Sequence, residues 1–392
     1  MNEFEKRIEI LYKERFGQLI SLILQSFRNL PIEWAEDIVQ ETFTAAALHW
    51  PKTGMPENPS GWLYLTCKNK SINQLKKISK TADLSLAKTV SVAPDEISED
   101  GFKDAQLQML MACCHPHLTP KTQMVLALKY VANLKVENIA LQFGAEPEAI
   151  EKMLYRARQK IKSESLILSS RLYGYPAERL SVIHKIIYLI FNEGYKQSGE
   201  KISQGKIMCE DALMLNKFLF DSPWCNPETK ALQALMLFNI ARFNARFDAQ
   251  GNPVELEYQD RTLWDQSLIQ LGGFLLTESE DSIFSPYHLE AAIAFVHCAA
   301  RKFEDTDWEA ICKYYEVLLK VYPSPFAEIN YAVALQYNHQ NDKAFRILMD
   351  LHRNPYFNKL PILDLTIRKY FDRIILQHSE HPAPSYKKIT ST

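Results

Sequence analysis

Polar and apolar positions from Asp37 to Trp50 separate with the period of an α-helix. Asp37, Gln40, Glu41 and Thr44 fall at i, i+3, i+4 and i+7 on one face, and Val39, Phe43, Ala46 and Trp50 on the other. A second stripe, Trp62, Leu65, Ile72 and Leu75, predicts another helix after the Pro-rich loop 51–59, with Ser60 as its N-cap. From Leu134 a short helix ends at Gly144, whose freedom at positive φ suits a tight turn, and a further helix opens at Pro147. There Ile150, Leu154, Ala157 and Ile161 turn inward. Glu148, Glu151, Lys152, Tyr155 and Gln159 turn outward, with Arg156 and Arg158 at the flanks. This pair reads as a helix-turn-helix.

Periodicity is weak across residues 81–103, which read as a flexible linker, and it returns in a compact helical unit over 104–165. Helical patterns then run from about 170 to 378, with a frayed tail over 379–392. Ser285-Pro286-Tyr287 and Ser324-Pro325-Phe326 each open an apolar, Ala-containing helix, and Tyr331-Ala332-Val333-Ala334-Leu335 followed by Lys343-Ala344-Phe345 has a tetratricopeptide-like rhythm. An ordinary irregular helical domain is the competing reading. Only 12 Gly in 392 residues argue against a β-protein rich in tight turns, so the expected class is all-α. No apolar run approaches a membrane span, and Met1 to Glu14 alternates charged and apolar residues, which predicts a soluble, cytoplasmic protein.

Seven scattered cysteines predict no disulfide framework, and Cys113-Cys114-His115-Pro116-His117 lacks the paired CxxC spacing of a closed zinc site. Neither a metal nor a cofactor is expected. The net charge of −2 conceals a strong local imbalance. Lys68, Lys70, Lys76, Lys77 and Lys80 follow Trp62 with no acid among them, and Lys152, Arg156, Arg158, Lys160 and Lys162 form a second basic run. The acidic span Asp83 to Asp104 lies between them. Two basic helices joined by an acidic linker fit phosphate contacts at two separated places, although each run also fits a solvated helix face.

The acidic face of Asp37, Gln40, Glu41 and Thr44 suits a basic partner surface. Asn58, Trp62, Lys68, Asn69, Lys70, Asn73, Lys76 and Lys77 combine a rigid loop, an aromatic ring, amides and ammonium groups, the parts needed to hold an unstacked base and its backbone. Glu148, Glu151, Lys152, Tyr155, Arg156, Arg158, Gln159 and Lys160 line a recognition helix, with basic residues for phosphates and polar ones for base edges.

With Ala35-Glu36-Asp37-Ile38-Val39-Gln40-Glu41-Thr42-Phe43, Trp62 to Lys77 and Leu134 to Lys160 in this order, residues 1–165 resemble an extracytoplasmic-function sigma-70 factor of bacterial RNA polymerase. The resemblance implies that residues 1–80 bind the clamp of the beta-prime subunit and the minus-10 promoter element, and that 104–165 bind the minus-35 element. Tyr188 to Tyr195, Gln259 to Asp265 and Asp305-Thr306-Asp307-Trp308 are similar to the sigma group with a long tetratricopeptide-like C-terminal extension, which implies regulation from within the chain. Glu151, Met153 and Asn73 depart from the family pattern. Glu148 and Glu151 in particular point to a non-standard minus-35 sequence, because a carboxylate can accept from a cytosine amino group.

Two further readings stand beside this one. A stand-alone helix-turn-helix regulator with a ligand- or peptide-binding helical domain would bind DNA without polymerase. An enzyme would use Glu193, Asp260, Asp265, Asp305 or Asp307, but no nucleophile–base pair, HExxH or phosphate-binding Gly loop accompanies them, so the chain is read as non-catalytic. Asn192, Glu193, Gln259, Asp260 and Arg261 are instead expected in a buried polar network or at a seam against the N-terminal domains.

Overall fold

Proline sets many of the helix starts, because a residue with φ already fixed near −65° and no N–H to satisfy suits the first helical position. It is the first residue of α3 (Pro59–Ser79), α5 (Pro120–Tyr130), α7 (Pro147–Ser163), α10 (Pro227–Ala241), α12 (Pro286–Ala299), α14 (Pro325–Tyr337) and α16 (Pro361–Ser379). The other helices are α1 (Glu3–Ser26), α2 (Ile32–Thr53), α4 (Glu99–Cys113), α6 (Val136–Phe143), α8 (Leu180–Tyr195), α9 (Ile202–Phe220), α11 (Gln266–Thr277), α13 (Trp308–Val321) and α15 (Asn341–Arg353). The structure, a computed structural model, describes residues 3–27, 30–79, 98–164, 179–280, 284–355, 357 and 360–379. Its fold is all-α, with one isolated β-bridge, Phe247 to Pro253, among the described residues.

Most of the span expected as a linker lies outside the described residues. Its end is helical, however, because the Ser98 hydroxyl accepts the Gly101 N–H at 3.2 Å and starts α4 at Glu99. The tail beyond Ser379 is likewise outside the described residues. Two compact units emerge, Met1–Thr229 with Phe247–Pro253, and Lys230–Arg246 with Val254–Thr392. The extension is therefore divided, and its first two helices, α8 and α9, belong to the first unit.

In that unit α1, α2 and α3 pack together, α4 and α5 lie against α1, α8 packs on α5, and α9 on α1 and α4. The most buried residues of α3 are Ser60, Leu63, Tyr64, Cys67 and Ser71, while the expected Trp62, Ile72 and Leu75 are half-buried at the edge of that face. Leu65 is exposed and the Cys67 thiol instead meets Thr42 Oγ1 of α2 at 3.3 Å. The cap of this helix also differs. Asn58 Oδ1 accepts the Gly61 N–H at 2.9 Å, so Asn58 does what Ser60 was expected to do, because the helix starts at Pro59. In the second unit the core joins α12 to α16 through Ile311, Ile329, Leu335, Leu348, Leu363 and their neighbours. The helices predicted at Pro286 and Pro325 head two successive pairs there.

The approach of α1 to α5 is close enough to restrict its residue. A Cβ on Gly17 would stand 2.3 Å from the Tyr130 carbonyl oxygen, a backbone atom with no rotamer to yield. Gly17→Ala is expected to lower stability by about 1–3 kcal/mol, the usual cost of overpacking, read as a lower midpoint in urea unfolding.

Candidate nucleic-acid interface

α2 divides as its sequence pattern requires. Val39, Phe43, Ala46 and Trp50 are buried, while Asp37, Gln40, Glu41 and Thr44 are exposed in a row. Glu41 reaches across to Lys70 of α3 at 2.9 Å, so the acidic face borders the Lys-bearing helix. On α3, Trp62 is half-buried, stacked on His49 with ring centroids 6.2 Å apart and edge-on to Trp50 at 5.3 Å. Asn69, Asn73, Lys76 and Lys77 are exposed, and Lys68 and Lys70 are partly covered. Asn58 lies at the head of the helix with its side-chain oxygen used as the cap.

The helix-turn-helix is built by α6 and α7. Gly144 adopts φ 56°, ψ 42°, and its N–H closes the end of α6. Ile150, Leu154, Ala157 and Ile161 are buried, and Glu148, Glu151, Lys152, Tyr155, Arg156, Gln159 and Lys160 are exposed. Lys152, Arg156 and Lys160 line one wall of a cavity of about 420 Å³, opposite Thr119 and Thr122 at the start of α5. Lys160 Nζ donates to the His117 carbonyl at 2.6 Å. Three cations facing a helix N-terminus make a surface suited to phosphate oxygens. In the neighbouring Cys-His segment, burial pushes the Cys114 thiol up to about 12, as expected of an inert core cysteine.

Arg158 departs from its expected place. It turns from the exposed row towards α2 and α5, where its Nη2 meets Glu36 Oε2 at 3.0 Å and its Nε donates to the Tyr130 hydroxyl at 2.8 Å. The Tyr130 hydroxyl donates to the same carboxylate at 3.2 Å, and Lys129 holds the other oxygen at 3.2 Å. Glu36 is 8% exposed. Burial, and then the Glu36 carboxylate, raise the Tyr130 hydroxyl well above its ordinary range, so it stays a donor. For Arg158, burial works against its charge, but Tyr130 and Glu36 outweigh it and its pKa is raised.

Two more joints hold this unit. Glu193 of α8, buried at 2% exposure, accepts from Gln142 at 2.8 Å and Asn138 at 3.3 Å, both on α6, and from Lys196 at 2.5 Å. Asn192 beside it is half-buried. Between α1 and α4, Gln18 donates to Gln106 at 3.2 Å and Ser21 to the Ala105 carbonyl at 2.6 Å. Asp211 of α9 faces this seam, and its carboxyl is pushed up to about 7 by burial and then by Glu14, against the opposing effects of Gln106 and Arg15.

The remaining expected residues are occupied within the second unit. Gln259 Nε2 donates to the Val254 carbonyl at 2.9 Å, and Arg261 Nη1 to the carbonyls of His297 and Ala300 at 2.6 and 2.7 Å, at the end of α12. Asp260, Asp265 and Asp307 each accept a backbone N–H at the start of a helical segment. These aspartates are caps, which explains their spacing without invoking chemistry. Sequence reasoning missed Glu36, Lys129, Tyr130 and Asp211. A glutamate in a helix that is otherwise apolar on that side was the available signal for Glu36, while Asp211 gave none.

Comparison with known proteins adds the following. The family model for sigma-70 region 2 matches residues 11–81, that for sigma-70 region 4 matches residues 108–161, and a family of unknown function, DUF6596, matches residues 179–280. A Rhizobium meliloti (strain 1021) protein, "Uncharacterized protein R00370", is 34% identical over 326 residues, covering 81% of this chain and 77% of its own length. No solved structure matches. Among the described residues no helix is long and apolar enough to cross a membrane.

Two outcomes follow from the joints. Glu36→Ala strands Arg158 and Lys129 in a partly buried place and is expected to cost about 3–5 kcal/mol in denaturant unfolding, with Glu36→Ala/Arg158→Ala costing less than the sum of the single changes. For Asp211 the folded pKa is raised, so the stability it contributes is complete below about 4 and is lost as pH rises through about 7. Asp211→Asn removes that loss. Its melting temperature relative to the parent chain should rise between pH 5 and pH 8.5, and an unchanged difference would remove Asp211 from the seam.

Proposed function

Because the chain belongs to the sigma-70 factors of the extracytoplasmic-function type, with an added C-terminal extension, and so takes part in promoter recognition, we propose that it docks core RNA polymerase through the exposed face of α2. Asp37, Gln40, Glu41 and Thr44 supply that face, meeting a basic surface on the beta-prime clamp. α3 then reads the minus-10 element with Trp62, Asn69, Asn73 and the lysines, and α7 reads the minus-35 element with Glu148, Glu151, Lys152, Tyr155, Arg156, Gln159 and Lys160. The observation that carries the reading is the exposure of the α2 and α7 sets on helices whose opposite faces are buried.

Regulation by the extension rests on Glu193. Its bonds to Asn138 and Gln142 attach α8 to the first helix of the helix-turn-helix, while Arg158 ties the recognition helix to α2. Elements named minus-10 and minus-35 lie about 25 base pairs apart, roughly 85 Å along B-DNA at about 3.4 Å per pair. Two readers joined through a 3.0 Å ion pair between α2 and α7 do not reach both elements. The arrangement is a closed one, and promoter binding requires α4–α7 to leave α1 and α2.

Run-off transcription with the full chain, purified bacterial core polymerase and the protein's own upstream region tests both parts. Asp37→Lys/Glu41→Lys should abolish protein-dependent transcripts. Glu193→Ala should increase them by about fivefold or more, since a change of 1–2 kcal/mol in a two-state balance is a factor of that order. Absence of transcripts from the parent chain on a panel of promoters would remove the sigma function, and unchanged output from Glu193→Ala would remove restraint by the extension.

A further inference from the structure

The second unit holds a cavity of about 200 Å³ that neither promoter nor polymerase binding uses. Its walls are aromatic. Trp308, the first residue of α13, stacks on Tyr337 at the end of α14 with centroids 4.5 Å apart, and Phe303 stands edge-on to both at 5.3 and 5.0 Å. His297 of α12 is edge-on to Trp308 at 5.3 Å. Glu255 and Glu257 close the remaining side, and no lysine or arginine is among the lining residues.

Size narrows the occupant. The cavity exceeds the roughly 150 Å³ that accepts benzene in an apolar core, and falls below the roughly 300 Å³ where drug-sized pockets begin. It matches one amino-acid side chain or a small amine. Charge narrows it further, because ring faces and the Glu257 carboxylate both favour a cation, Glu255 being already paired with Lys369. The fold itself supplies an example: the ammonium of Lys369, on α16, is drawn to Glu255. Glu257 already accepts the Tyr337 hydroxyl at 2.7 Å, which fixes the carboxylate beside the stacked rings.

His297 lines the same cavity without opposing a cation. Burial, then Arg242 and Arg261, lower its pKa to about 3, so it adds no positive charge. Its Nδ1 is shielded from solvent and has no hydrogen-bond partner among the described residues.

We propose that this cavity is a receptor for an organic cation, a guanidinium or alkylammonium group the size of an amino-acid side chain, held between the aromatic walls and Glu257. The group comes either from a free amine or from a basic side chain of a peptide, and the same chemistry serves both. Trp308 and Tyr337 supply the ring faces and Glu257 the charge, on the side of the cavity away from the Arg261 that is bonded to the His297 carbonyl.

Titration of the full chain without polymerase or DNA tests this, so its failure leaves the sigma function untouched. Calorimetry with agmatine, with acetyl-Gly-Arg-Gly-amide and with its neutral citrulline counterpart should give saturable binding of at least one cation and none of the citrulline peptide. Tighter binding of agmatine identifies a free amine as the source, and tighter binding of the arginine peptide a side chain. Glu257→Gln, which preserves shape, should weaken the cation by about tenfold or more, as loss of a charge-assisted hydrogen bond does, and Trp308→Leu should do likewise. No saturable binding of either cation at millimolar concentration, equal binding of the citrulline peptide, or affinity unchanged in Glu257→Gln would overturn the proposal.

Discussion

A carboxylate withdrawn from water must find its hydrogen bonds and its counter-charge within the protein, and Glu36 finds both only if α5 and α7 stay against α2. The rest of the first unit is arranged around that condition. Lys129, Tyr130 and Arg158 converge on one carboxyl group, Gly17 lets the α5 backbone approach α1, and Ser21 and Gln18 fasten α4 alongside. Removing any one partner leaves others buried without compensation. The joint is therefore a network whose members depend on one another more than separate contacts would.

Glu193 repeats the device at the other side of the helix-turn-helix. Its exposure is only 2%, and its partners come from α6 and from Lys196 and Gln197 just past the end of α8. The two joints differ in kind. Glu36 has two cations and a tyrosine hydroxyl as partners, whereas Glu193 combines one cation, Lys196, with the amides Asn138, Gln142 and Gln197, which are less sensitive to ionic strength. Asp211 adds a third joint whose protonation falls near neutrality.

Much of this architecture was legible in the sequence wherever one helix face decides the outcome. The faces of α2 and α7, the turn at Gly144, and the starts at Pro286 and Pro325 follow from period and from residue-specific backbone limits. What failed depends on partners distant in the chain. Arg158 reads as a phosphate contact because it flanks the exposed row, and only the arrival of Glu36, 122 positions earlier, turns it inward. On α3 the buried centre is Leu63, Tyr64 and Cys67, with Cys67 against Thr42 of α2, and the expected Trp62, Ile72 and Leu75 flank it, a choice that apolar spacing alone leaves open. Ser60 and Asn58 are both good caps, and the Pro59 start decides between them.

The joints at Glu36 and Glu193 hold the helices of the first unit together without covering the two exposed faces. Asp37, Gln40 and Thr44 on α2, and Lys152, Arg156 and Gln159 on α7, remain exposed while these joints are made. Simple occlusion would bury one of these sets, and neither is buried. What the Glu36–Arg158 pair fixes is the separation of α7 from α2 and so from α3 packed on it, and on the proposed function that separation is what two distant DNA elements would have to change. A partner that binds the α2 face can therefore engage the closed form first. It then draws α7 away only if its further contacts exceed those at Glu36 and Glu193, because a partner shifts a two-state balance by no more than its difference in affinity for the two states.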